Sequence, residues 1–189
     1  MTTAGPDPAL RKVSPVSFAQ ERLWLLDRLE PGTPAYNIAR AIRIRGALST
    51  QALRDSLRAI VERHESLRTT FAEVDGQPMQ IIGSVPGFEL PIVDLTALDE
   101  TAGESETQRV IREEAQRPFD LTSGPLLRAT LLRLRPDEHV LLLLIHHIVT
   151  DGWSMSVLFK EISQLYEAAI AGRPSPLPAL TMQYAGFVR

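Results

Sequence analysis

The sequence predicts an α/β fold of the α+β kind, a mixed β-sheet with helices packed against it. Three observations predict it. Strand-like and helix-like segments are interspersed along the 189 residues without strict βαβ alternation. The run Val140 to Ile145, VLLLLI, is apolar on both faces, as a central sheet strand is. Amphipathic segments after Ser49 and over about 152–171 carry apolar side chains at helical spacing.

Residues 1–14 are rich in Thr, Ala and Pro without periodicity, and read as a linker or loose arm. Phe18, Leu23, Leu26 and Leu29 lie near one helical stripe, which Pro31-Gly32 ends. Tyr36 to Arg45 alternates as a strand, with Ile38, Ile42 and Ile44 on one face and Arg43 and Arg45 on the other. Arg40 interrupts the apolar face. Ser49 is placed to cap a helix that buries Leu53, Leu57, Ile60 and Val61. Leu67 to Val74 and Pro78 to Ile82 flank Asp75-Gly76, a hairpin signal. Ile92-Val93 is a short strand. Glu104 to Arg117 reads as a polar surface helix stopped by Pro118. Leu126 to Leu134 and His139 to Ile145 form a second strand pair around Pro136-Asp137. The helix over about 152–171 turns Val157, Leu158, Ile162, Leu165, Tyr166 and Ala169 inward, and Gly172 caps it. Met182 to Arg189 begins a further helix. Trp24 and Phe71 are read as core.

Composition narrows the function classes. A net charge of −3 provides no basic face for nucleic acid. No stretch approaches the roughly 20 apolar residues of a membrane span, and residues 1–12 lack the apolar core of a secretory signal. Without cysteine the chain has no disulfide, thiolate metal site or cysteine nucleophile. A cytoplasmic protein is the expectation.

The chemistry concentrates in Ile145-His146-His147-Ile148-Val149-Thr150-Asp151-Gly152-Trp153-Ser154, where a buried strand gives way to a helix. Neighbouring strand residues point to opposite faces, so His146 and His147 cannot both face one substrate. Three readings compete. Both histidines can cap a core strand while Asp151 caps the next helix. A metal site would need further ligands, and His64 and His139 are the remaining histidines. Alternatively one imidazole, titrating near neutrality, handles a proton while an aspartate fixes the geometry beside it.

His146-His147-x-x-x-Asp151-Gly152 matches the HHxxxDG signature of condensation domains of nonribosomal peptide synthetases. Ser17 to Trp24 resembles the family's SxAQxRLW opening, and Arg63 to Phe71 resembles its RHExLRTxF motif, in the same order along the chain. The resemblance implies one lobe of a chloramphenicol-acetyltransferase-like fold, with residues 15–189 as the N-terminal lobe and the C-terminal lobe absent. It implies amide (peptide) bond formation between carrier-tethered aminoacyl or peptidyl thioesters. No cofactor is bound directly, because the substrates arrive on phosphopantetheine arms. The implied partners are donor and acceptor peptidyl carrier proteins, the missing lobe and adjacent synthetase domains, with neither nucleic acid nor membrane.

By the same resemblance His147 is the catalytic histidine, as general base or as a group that orients the amine and relays a proton. His146 packs behind the strand. Asp151 is structural and pairs with an arginine, Arg63 first, then Arg22 or Arg68, because an unpaired buried carboxylate is costly. Gly152 leaves room for a pantetheine arm or simply starts the helix. Trp153 is a core anchor or a tunnel wall. The opening motif and the tail from Gly172 resemble the subtype joining an L-donor to an L-acceptor. Gly186 stands where the family's YxDFxxW stretch has Asp. A single lobe cannot enclose both substrates, so the chain alone is expected to be inactive and to self-associate through an exposed apolar interface. The alternative is a noncatalytic module that recruits a carrier or tailoring enzyme.

Overall fold

The computed structural model describes residues 12–84 and 87–188. Two sheets share one core. In chain order the elements are β1 (Lys12–Pro15), α1 (Phe18–Leu29), β2 (Asn37–Arg45), α2 (Thr50–Arg63), β3 (Thr69–Val74) and β4 (Gln77–Ile82). They continue with β5 (Ile92–Asp94), α3 (Glu100–Gln116), β6 (Leu127–Arg135), β7 (Glu138–His146), α4 (Gly152–Ile170) and α5 (Tyr184–Phe187). One sheet has the order β1-β4-β3 and the other β2-β7-β6-β5. All pairings are antiparallel except β5 with β6, so the larger sheet is mixed.

β7 lies between β2 and β6, and each of its residues is buried. Its side chains alternate between two covered faces. Val140 packs with Leu132 and with Val110 of α3, while Leu141, Leu143 and Ile145 belong to the main core with Leu53, Leu57 and Ile60 of α2 and Leu158, Ile162 and Leu165 of α4. Ser49 caps α2 by accepting from the Ala52 amide at 3.2 Å. Asp75 and Gly76 both have positive φ, 51° and 76°, as a tight primed turn between β3 and β4 requires.

Several expectations are corrected. The expected α/β fold with helices packed on a mixed sheet is present, but its strands divide into two sheets rather than one. The loose arm is a strand from Lys12 onward, pairing with β4 from Lys12↔Ile82 to Pro15↔Met79; residues 1–11 lie outside the described residues. Ser14 is 1% exposed, and its hydroxyl donates to the Ala185 carbonyl at 3.2 Å, so long-range pairing overrides a locally featureless sequence. Phe18 and Leu29 are exposed, because α1 turns Gln20 inward instead. α3 begins at Glu100 rather than Glu104, since Asp99 accepts from the Ala102 amide and starts the helix a turn earlier. Phe71 is fully buried and Trp24 half-buried against the core. Among the described residues no helix is long and apolar enough to cross a membrane.

Candidate active site at the β7–α4 junction

Where β7 ends, His147–Val149 form a single 3-10 turn, and α4 starts at Gly152. His146 closes the strand at 2% exposure, edge-on to Tyr36 and Phe119 with ring centres 6.2 and 6.0 Å away. Its Nδ1 accepts from the Ile148 amide at 3.1 Å. Burial, aided by the electrostatic effect of the adjacent His147, pushes the His146 imidazole down to about 4, so this ring is neutral at pH 7.

His147 points the other way and is exposed, in the wall of a cleft of about 330 Å³. Its amide donates to the Tyr36 carbonyl at 2.9 Å. Its Nδ1 lies 2.8 Å from the Thr150 carbonyl oxygen. A carbonyl can only accept, so Nδ1 carries the hydrogen, and Nε2 of the neutral ring keeps its lone pair. The same cleft is lined by Leu23, Leu67, Trp153, Val157 and Met182, which give it a largely apolar body beside that nitrogen, with polar groups from His64, Ser66, Ser154 and Gln183 at its wall.

Asp151 is not the buried, arginine-paired carboxylate expected. It is exposed and caps α4, its Oδ1 accepting from the Ser154 amide at 2.7 Å. That hydrogen bond, with a smaller contribution from the nearby His147, holds its carboxyl below the usual range. A solvated carboxylate needs no counter-charge, and among the described residues no arginine bridges it. Arg63 binds Glu161 instead, with Nε 3.2 Å from both oxygens, and donates to the Pro178 carbonyl at 2.6 Å. Arg68 donates to the Gly83 carbonyl. Arg22 is exposed on α1.

A Cβ at Gly152 would meet nothing within 4 Å, so in this lobe the glycine relieves no crowding. Trp153 is 80% exposed, which removes the core-anchor reading and leaves its ring on the cleft wall.

Sequence reasoning missed Glu161, Gln20, Gln80 and Gln183. Glu161 is 9% exposed on the inward stripe of α4, where a carboxylate between Leu158 and Ile162 was itself a signal. It accepts from Arg63 and lies 2.6 Å from His64 Nε2, and His64 also lines the cleft. Gln183 ties the segment after α4 to the end of α2, donating to the Arg63 carbonyl at 2.8 Å and accepting from the Glu65 amide at 3.1 Å. Gln20 stands three residues after Ser17, the spacing of a capping box, and both reciprocal bonds are present.

Comparison with known proteins gives a consistent result. The family model described as "Condensation domain" matches residues 10–189. Phosphinothricin tripeptide synthetase PhsC of Streptomyces viridochromogenes is 47% identical over 189 residues, covering 97% of this chain and 17% of that protein. Chondramide synthase cmdD of Chondromyces crocatus is 49% identical over 177 residues, covering 94% of this chain and 4% of that protein. Among solved structures, the starter condensation domain of rhizomide synthetase RzmA superposes with a TM-score of 0.80 at 30% identity, covering 87% of this chain and 41% of that one. The first condensation domain of the calcium-dependent antibiotic synthetase gives 0.81 at 28% identity, covering 89% and 40%. The chain therefore spans about two fifths of the solved domains that it matches.

Proposed function

We propose, because this chain belongs to the condensation domain family, that it supplies the histidine-bearing wall of an active site that forms amide bonds between two thioester-tethered substrates. The observation that carries the reading is His147: an imidazole facing an apolar cleft, with Nδ1–H donated to Thr150 and Nε2 left to accept. The acceptor's free amine attacks the donor's thioester carbonyl. A C–N bond forms, the C–S bond breaks, and the thiol leaves with a proton.

Nε2 accepts a hydrogen bond from the attacking amine, which aims its lone pair at the carbonyl. It then takes the proton that the amine sheds and passes it to the departing sulfur. The tie to Thr150 fixes the ring's tautomer and orientation, so this role costs no reorganisation at the moment of reaction. The partners in this reading are donor and acceptor peptidyl carrier proteins, whose phosphopantetheine arms bring in the substrates, together with a C-terminal lobe and adjacent synthetase domains in the cytoplasm. The family resemblance favours an L-donor and an L-acceptor. By itself the chain presents one side of the cleft, so it loses proximity and is expected to be inactive.

The test uses a full condensation domain carrying this lobe and two loaded carrier proteins. His147→Ala is expected to lower the amide-forming rate about 100-fold or more, while carrier binding is kept. Undiminished product formation by the variant would overturn the catalytic reading in favour of a recruiting module.

A further inference from the structure

The turn that carries His147 is held from behind by two buried amides. Gln20, on the inner face of α1, is 2% exposed, and Gln80 of β4 is 1% exposed. Gln20 Nε2 donates to the Ile148 carbonyl at 3.4 Å and to Gln80 Oε1 at 3.1 Å, while its Oε1 accepts from the Ser17 amide at 2.9 Å. Gln80 Nε2 in turn donates to the Pro15 carbonyl at 2.7 Å. Both hydrogens of the Gln20 amide are thus committed. Its orientation follows from the network: turned over, its oxygen would face the Ile148 carbonyl and Gln80 Oε1, both acceptors.

On its other side the turn is fastened through the His147 amide to the Tyr36 carbonyl. The ring's own anchor, the Thr150 carbonyl, belongs to the same turn. If the turn opens, that anchor moves away and the tautomer is no longer fixed. Two buried amides cost free energy unless paired, and apolar side chains of similar length would fill the space without that cost. What the pair supplies beyond filling is direction, a hydrogen bond aimed at the Ile148–Val149 peptide within the turn.

We propose that Gln20 is a positioning residue for His147 and that Gln80 is its anchor, together setting the turn against α1 and β4 so that the imidazole keeps Nδ1 on Thr150. The inference rests on the reading that His147 is the working group, but its test requires no turnover. In this chain, Gln20→Met keeps the side-chain length and removes both donors. Amide exchange at Ile148 and Thr150, compared with Leu142 in β7, is expected to accelerate about tenfold. The two-bond proton–nitrogen pattern of the His147 ring should change from one tautomer to a mixture. Ser49→Ala, which removes the cap of α2, serves as a control for lost stability alone.

The proposal is overturned if the turn amides of Gln20→Met move no more than those of Ser49→Ala and the ring keeps its pattern. Should Gln20→Met not fold, Gln80→Met leaves Gln20 bonded to Ile148 and is expected to loosen the same amides to a smaller extent; unchanged exchange there removes the relay. Because these readouts follow the turn and not product, a negative result leaves the carrier assay on His147 standing, and the converse also holds.

Discussion

Two adjacent imidazoles behave as different chemical groups because one backbone step separates buried from solvated. His146 ends β7 among aromatic rings and is pushed down to about 4, first by burial and then by the electrostatic effect of the adjacent His147. In the unfolded chain the same group titrates near 6.5. Between those values the unfolded state binds more protons, so stability must fall as pH drops from about 6.5 toward 4 and level off below that. The full effect is on the order of 3 kcal/mol. His146→Phe gives up the acceptor for the Ile148 amide, which lowers its stability at pH 7.5, but it should flatten this part of the pH dependence. Urea midpoints of both proteins at pH 7.5 and 4.5 measure the difference, and parallel acid losses would show that His146 is not the source. Strand alternation made the opposed directions of the two rings legible in the sequence. That Asp151 could cap the following helix was legible as well; that it would be solvated and without an arginine was not, because whether a carboxylate is buried depends on where α4 begins relative to the surface, which no local pattern encodes.

At the scale of elements, one buried charge, Glu161, lies between α2 and α4. Glu161 satisfies Arg63 and His64 from the last turn of α2, and Arg63 reaches on to the Pro178 carbonyl, so one carboxylate joins two helices and the segment after α4. Its side chain is 11% exposed and that of Arg63 16%, which places the pair where screening by water is weak. Glu161→Ala leaves a buried guanidinium without its counter-charge and should destabilise the chain by about 3 kcal/mol, whereas Asp55→Ala on the exposed side of α2 should stay within about 0.5 kcal/mol. Denaturant unfolding of the two variants separates a helix-joining ion pair from a surface charge; equal small losses would refute it. The helices themselves were readable from periodicity and caps. That Arg63 looks toward α4 rather than toward Asp151 follows from helix–helix packing, which the spacing of residues along one helix does not specify.

For the whole molecule, local patterns yielded the strands but not their grouping. β3 and β4 were announced by Asp75-Gly76, yet the addition of β1 to their sheet depends on Lys12 meeting Ile82, a long-range pairing with no signal in the residues around Lys12. The same is true of the surface left outside the core. Trp153 (80% exposed), Met182 (62%) and Tyr184 (43%) line the cleft, and Phe18 on α1 and Phe187 on α5 add further exposed rings. Scattered apolar side chains are ordinary on a soluble protein, but a group of this kind around one concavity presents apolar surface that a second copy can cover. The chain in solution should therefore self-associate reversibly, with the dimer fraction rising with concentration in sedimentation velocity and with an apolar dye binding to the monomer. Replacing Trp153 and Met182 together by serine removes exposed area without touching a buried side chain, so it should shift the equilibrium to monomer and reduce dye binding while leaving the unfolding midpoint nearly unchanged. A chain that stays monomeric at every concentration, or a double variant that associates as strongly as the parent, would place the sticky surface elsewhere and separate the cleft from association.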